Sequence, residues 1–218
     1  MIGRPASHTI DGPAGLLEVV IEEPQGAPIG LAVVAHPNPQ QGGTMDNKVV
    51  HTLCRAFVLA GWRAVRFNFR GVGQSEGSWG EGRGEAMDML AVVAHHLTDP
   101  ALQGKPLALA GFSFGGYVAA QTHARLTEAA ANDPRVQAPA QLVLISPATT
   151  RFEVPAVPAS TLVVEGEEDD VVPLTSILDW ARPQGLPITV VPGTGHFFHG
   201  QLPRLRDLVL RHLRAFAG

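Results

Sequence analysis

At 218 residues, 45% hydrophobic and 17% charged, the chain has the composition of one soluble globular domain spanning residues 1–218, large enough to bury roughly 70 to 75% of its unfolded surface. A formal net charge of −4 argues against nucleic acid or an anionic membrane surface as a partner. Cys54 is the one cysteine, which excludes an intramolecular disulfide; no run nears the roughly 20 apolar residues of a membrane span, and residues 1–9 lack the apolar centre of a signal peptide, so the expected setting is the reducing cytoplasm.

Residues 8–23 read as a hairpin, with Thr9 and Ile10 leading to a turn at Asp11-Gly12-Pro13 and an apolar return over 16–21. Residues 31–35 form a compact apolar strand. The segment that follows, His36-Pro37-Asn38-Pro39-Gln40-Gln41-Gly42-Gly43-Thr44-Met45, is too elaborate for a plain connector, and loops after central strands often carry function. A helix begins at Asp46 or Asn47. Val50, Leu53, Cys54, Phe57 and Ala60 recur at helical spacing and Gly61 stops it. On that apolar face Cys54 reads as a small core residue.

Residues 63–69 are the next strand. They run into Arg70-Gly71-Val72-Gly73-Gln74-Ser75, which lacks the third glycine and the helix of a dinucleotide fingerprint and reads as a tight loop near the site. A second amphipathic helix is expected over 84–97 through Met87, Leu90, Val93, Ala94 and Leu97. His95 and His96 are adjacent, so their rings diverge; metal ligands on a helix want spacings such as i, i+4. The pair reads as solvated surface.

The rest of the chain is organised around residues 106–125. An apolar strand leads into Gly111-Phe112-Ser113-Phe114-Gly115, and a helix follows. A sharp strand-to-helix turn crowds the backbone. Glycines on both sides relieve the crowding, and the serine hydroxyl is pushed out at the strand's carboxyl end. The helix points its N-terminal amides at whatever Ser113 attacks.

After this come an apolar strand at 141–145 and a segment, 148–158, carrying Pro155 and Pro158. That segment has room for a loop and none for a helical cap. A strand at 161–164 then opens into the acidic Glu165-Gly166-Glu167-Glu168-Asp169-Asp170. A short helix covers 174–181 and a last strand 188–191. Pro192-Gly193-Thr194-Gly195-His196-Phe197-Phe198-His199-Gly200 follows, and Leu202, Leu205, Val209, Leu213 and Phe216 stripe the closing helix. Apolar strands alternating with helices predict a three-layer α/β/α sandwich around a mainly parallel sheet, minimal and without a cap domain.

Ligands of such sheets bind at the carboxyl ends of the strands. Four features stand at four of those ends: the 36–45 loop, Ser113, the acidic 167–170 loop and His196. A serine hydroxyl near neutral pH needs a positioned base. His196 is the candidate, because the glycines at 193 and 195 let the chain swing its ring toward Ser113. His199 competes, as a pocket residue or a packing residue on the last helix. His8, His51, His123 and His212 fall on expected surface. The chain order serine, acid, histidine is that of the α/β-hydrolases.

Over nearly its whole length the chain resembles an α/β-hydrolase. More narrowly, His36-Pro37-Asn38-Pro39, Gly42-Gly43-Thr44-Met45-Asp46-Asn47-Lys48-Val49 and the 193–200 segment are similar to small, lidless bacterial serine hydrolases related to the dienelactone hydrolase and esterase branches. Members of that group mostly carry histidine where Asn38 stands, a departure that keeps the backbone and changes the pocket lining. The fold's Gly-x-x-Asp-x-Val-Val-Pro pattern falls on residues 166–173 and assigns Asp169 to orient the imidazole. Asp170 remains an alternative; Glu167 and Glu168 read as solvated loop charges. Of the two oxyanion amides, one falls on Phe114 and the other on Asn38, because Pro37 and Pro39 have no N–H. His36 is expected to brace its loop. The resemblance implies a serine carboxylesterase acting on small or flexible esters through an acyl-enzyme, without cofactor or metal, as a monomer or homodimer. Peptidase, amidase or thioesterase chemistry on the same side chains is an alternative, and so is a binding module of hydrolase fold without turnover.

Overall fold

Strands with no solvated face must be covered on both sides, and three of them set the architecture. In a computed structural model that describes residues 6–215, β3 (Leu31–Ala35), β5 (Leu107–Phe112) and β6 (Gln141–Ile145) are buried at every position. With β1 (His8–Gly12), β2 (Gly15–Glu22), β4 (Arg63–Phe67), β7 (Leu162–Gly166) and β8 (Thr189–Val191) they form one eight-stranded sheet in the order β1-β2-β4-β3-β5-β6-β7-β8. The hairpin β1–β2 is antiparallel and joins β4 antiparallel; every pairing from β4 to β8 is parallel. This is the α/β-hydrolase architecture. Residues 1–5 of the N-terminal reading, and Phe216 of the closing stripe, lie outside the described residues.

One face carries α1 (Lys48–Leu59) and α5 (Leu202–Ala215), whose Leu53, Phe57, Leu205 and Val209 pack on Val34, Ala110 and Ile145. Cys54 lies in this layer, fully buried. The other face carries α2 (Arg83–Leu97), α3 (Phe114–Asn132) and α4 (Leu174–Ala181), through Met89, Val92, Val118 and Ile177. From β3 the chain first moves outward to β4, then crosses back to place β5 on β3's other side. The carboxyl ends of β3 and β5 therefore flank a topological switch point, where such sheets open a crevice.

The helix α2 turns a different face to the core from the one its apolar residues predict. Met87 is 43% exposed and Ala94 is also exposed, while Glu85 and Asp88 are fully buried. Two polar anchors set this rotation. Asp88 takes a bidentate grip on Arg70, with Oδ1 2.7 Å from Nη2, and also accepts the Arg70 amide at 3.0 Å. Glu85 accepts the amides of Gly80 and Gly82 at 2.8 and 2.7 Å. Buried carboxylates persist only when satisfied in this way, and these lock the helix about one position away from its apolar stripe.

Two histidines expected at the surface are buried as a consequence of packing. His96 is 4% exposed, and burial together with the nearby His95 and Arg63 pushes its imidazole down to about 4. His123, on α3, is 7% exposed, and burial lowers its imidazole as well. The strand over 63–69 ends at Phe67, and Asn68 and Phe69 turn away to brace the neighbouring loop. Residues 148–160 contain no helix or strand. Among the described residues, no helix is long and apolar enough to cross a membrane.

Candidate active site

The turn from β5 into α3 holds Ser113 at φ 55°, ψ −117°, a conformation that costs a non-glycine residue on the order of 1–3 kcal/mol. The flanking glycines make it feasible. A Cβ on Gly111 would run into the carbonyl of Gly115, and one on Gly115 into the carbonyl of Ala35. The strained backbone is tied down by Ser113 N–H donating to Ile145 O (2.9 Å) and by Gly116 N–H donating to Ser113 O (2.9 Å). Among the described residues the Ser113 hydroxyl has no hydrogen-bond partner, and its residue is 7% exposed, at a cavity wall.

Across the switch point, the 36–45 loop is shaped by neutral hydrogen bonds. His36 is fully buried. Its Nδ1–H donates to Pro37 O at 2.7 Å, and its Nε2 accepts the Phe69 amide at 3.1 Å. A carbonyl only accepts and an amide only donates, so these partners fix the tautomer. Burial drives the ring down to about 4, against the opposing Pro37 bond. Asn68 Oδ1 accepts the Met45 amide at 2.9 Å and so anchors the loop's far end. Within the loop, Asn38 Oδ1 caps a short 3-10 turn, Pro39–Gln41, by accepting Gln40 N–H at 2.8 Å. Neither the Asn38 amide nor the Phe114 amide bonds to another described group, and both residues line a recess beside Ser113. Two unspent backbone donors near a serine hydroxyl are what a developing oxyanion requires.

The loops after β7 and β8 carry the ionisable groups. Asp169 Oδ2 accepts from His196 Nδ1 at 2.6 Å, a charge-assisted distance. Its Oδ1 accepts the amides of Val171 and Val172 at 2.9 and 2.7 Å. Burial pushes the Asp169 carboxyl up, but the bonds from His196, its interaction with Glu165 and the Val172 amide outweigh that and leave it below the ordinary carboxylate range. With Nδ1–H turned to the carboxylate, Nε2 is the acceptor nitrogen, and it has no partner among the described residues. The imidazole packs against Phe112 and Phe197, with ring centroids 4.8 and 5.1 Å away. No hydrogen bond joins His196 to Ser113; the two share the wall of one cavity of about 250 Å³ with Asn38, Asn47, Val171 and Phe197. Catalytic contacts are often long without substrate.

The competing residues stand elsewhere. His199 is exposed, with its ring 5.9 Å from Phe197, and lines neither the cavity nor the recess. Asp170 is exposed, and the carboxylate bonded to the imidazole is that of Asp169. Glu168 is exposed, as expected, whereas Glu167 does more than carry a solvated charge: its Oε2 accepts the Gly193 amide at 2.9 Å and ties the two loops together. The turn at residues 70–75 does not line the cavity; it reaches the site at one remove, Ser75 Oγ donating at 2.7 Å to the carbonyl of Asn68, which in turn holds Met45. The recess also contains Arg151 and Phe152, which the sequence marks only as part of a short loop. The signal that the sequence offers for Glu165 is an acid inside an apolar strand.

Residues 40–157 match the family described as serine aminopeptidase, S33. Among solved structures, an α/β serine hydrolase homologue from Coxiella burnetii is 36% identical, with 98% of this chain and 99% of that one covered at a TM-score of 0.79. An α/β serine hydrolase without a lid from Xanthomonas campestris is 35% identical, covering 99% of this chain and 96% of that one at a TM-score of 0.86. A Rickettsia prowazekii (strain Madrid E) protein of uncharacterised function is 36% identical over 122 residues, 54% of this chain and 49% of the relative. The chain thus matches about half the length of that curated relative.

Proposed function

The chain belongs to the serine aminopeptidase S33 family of α/β serine hydrolases, and from that premise we propose that it hydrolyses small or flexible carboxylic esters through an acyl-enzyme. Ser113 Oγ attacks the ester carbonyl carbon while His196 Nε2 takes its proton. Asp169 holds the imidazole tautomer and stabilises the imidazolium. The carbonyl oxygen, now negative, accepts from the Asn38 and Phe114 amides. Collapse expels the alcohol, which receives the proton from His196. Water then attacks the acyl carbon with His196 again as base; the bond to Ser113 Oγ breaks, Oγ takes the proton back from His196, and the acid leaves.

The observation that carries this reading is the ring orientation of His196. Its Nδ1 is committed to Asp169 at 2.6 Å, which leaves the basic nitrogen to a cavity whose wall includes the Ser113 hydroxyl. The choice of ester over N-terminal peptide rests on charge. An aminopeptidase must neutralise the ammonium of its substrate, and among the described residues neither the cavity nor the adjoining recess is lined by a carboxylate. The coil over 148–160 leaves the site open to short or flexible acyl groups.

The test uses a fluorophosphonate and a panel of short p-nitrophenyl esters beside an amino-acid p-nitroanilide. Wild type should label on Ser113 by mass mapping and turn over esters far faster than the anilide, and Ser113→Ala should lose both labelling and turnover. Ester hydrolysis surviving at wild-type level in Ser113→Ala defeats the mechanism. A preference for the anilide defeats the substrate class alone.

A further inference from the structure

Behind Asp169 lies a second carboxyl that the mechanism above does not use. Glu165, the penultimate residue of β7, is fully buried. Its Oε1 accepts the Ser146 hydroxyl at 2.9 Å and the Gly166 amide at 3.0 Å. Its Oε2 is buried too, and as the heavy atoms stand it reaches no hydrogen-bond partner among the described residues. The titratable group that acts on it is Asp169, and each of the two carboxyls changes the proton affinity of the other. An unpaired anionic oxygen in such a place would be costly, whereas a protonated one has a donor to offer.

Ser146 connects this group to the nucleophile. It is held at φ 42° directly after β6. The residue before it, Ile145, presents the carbonyl that accepts Ser113 N–H. From Ser113 a chain of bonded groups thus runs through Ile145 and Ser146 to Glu165.

We propose that Glu165 is a positioning residue for the Asp169–His196 pair: a neutral carboxylic acid, protonated on Oε2, that presents its proton to Asp169 and fixes the carboxylate from behind. The inference rests on the roles proposed above for Asp169 and His196. Glu165 is fully buried, and each carboxyl alters the proton affinity of the other, so one of the two keeps a proton. Asp169 has the imidazole and two amides to favour its anion. Glu165 has a hydroxyl and one amide, and burial first, then Asp169, push its carboxyl up to about 9. As a neutral donor, Glu165 draws charge away from Asp169 and so restrains how strongly Asp169 stabilises the imidazolium. An anionic Glu165 would do the opposite, so the two states predict shifts of opposite sign.

The experiment compares wild type with Glu165→Gln and Glu165→Leu in two readouts. The first is the rate of fluorophosphonate labelling of Ser113 against pH, which needs no natural substrate. Glutamine reproduces the protonated acid, with an oxygen for Ser146 and Gly166 and an N–H for Asp169, so its acid limb should coincide with that of wild type. Leucine removes the donor; its rate should fall about tenfold to a hundredfold and its acid limb should move to higher pH. An acid limb in Glu165→Leu that is unmoved, or moved to lower pH, overturns the proposal.

The second readout is the melting temperature, which is independent of any activity. A carboxyl raised in the folded protein keeps a proton that the unfolded chain releases, so its contribution to stability is lost as pH climbs from about 4.5 to about 9. Glutamine has no such proton. The melting temperature of Glu165→Gln minus that of wild type should therefore widen steadily over this window. A gap that stays flat means Glu165 is already ionised and overturns the proposal even if Glu165→Leu does not fold. If wild type fails to label while the gap widens, the fault lies with the assigned nucleophile and the neutral acid stands.

Discussion

Two buried histidines lie on either side of Ser113, and the partners of their ring nitrogens separate them. His36, after β3, spends both nitrogens on backbone: one donates to Pro37 O and the other accepts from Phe69 N–H. His196, after β8, gives one nitrogen to a carboxylate and keeps the other for the cavity. The first ring has no acceptor left for a substrate proton and no anion to stabilise a charge; burial keeps it neutral down to about pH 4. The second has both. Burial is common to the two, so burial does not distinguish a brace from a base; a carboxylate at Nδ1 and an open Nε2 do.

The contrast can be broken most directly at the basic ring. His196→Ala should reduce ester turnover by about 10⁴-fold or more, and Asp169→Asn by a similar order, since the asparagine amide favours the wrong tautomer. Both should keep a near-wild-type circular dichroism spectrum. Turnover by His196→Ala within tenfold of wild type would move the base elsewhere.

On the bracing side the expected effects are smaller and separable. Asn38 has φ −53° and an amide bonded to no described group, so proline fits its backbone and deletes only that N–H and the cap. Asn38→Pro should lower kcat by about 10²–10³-fold. Asn38→Ala, which keeps the amide and loses the cap, should lower it severalfold at most. Equal losses in the two variants would take the oxyanion role away from this amide.

The smallest change falls on the brace, and there the readout is stability. His36→Gln should cost about 1–3 kcal/mol at pH 7, read by urea unfolding, because one buried bond to the backbone goes unmade. The sign of its pH dependence follows from its partners. The imidazole falls from 6.5 to about 4 on folding, so its contribution is complete above pH 6.5 and drains as pH drops toward 4, by on the order of 3 kcal/mol. The gap between wild type and His36→Gln should therefore shrink on acidification. A gap that is constant from pH 7 to pH 4.5 would show that the ring titrates freely.

Much of this site could be read along the chain because its parts are local. The Gly111-x-Ser113-x-Gly115 turn needs its glycines for contacts within and just beside the elbow. The proline pair around Asn38 singles out one amide in its loop without reference to any other segment. Reading failed where a polar group's fate depends on a distant partner. The helix α2 shows an apolar stripe through Met87 and Ala94, yet its orientation belongs to Asp88 and Glu85. Asp88 is buried only because Arg70, 18 residues away, reaches it. His96 and His123 read as solvated because their burial comes from packing against elements that the local pattern does not show.

What the residues determined by themselves is the alternation of apolar strands with helices, the strained serine turn and the order of the loops that end at one edge of the sheet. These follow from periodicity and backbone sterics, which act over a few residues. Tertiary structure alone decided which face α2 buries, that Glu167 ties two loops together, and that Ser146 holds Glu165. Each of those is a polar group bonded to a partner that chain order does not place beside it.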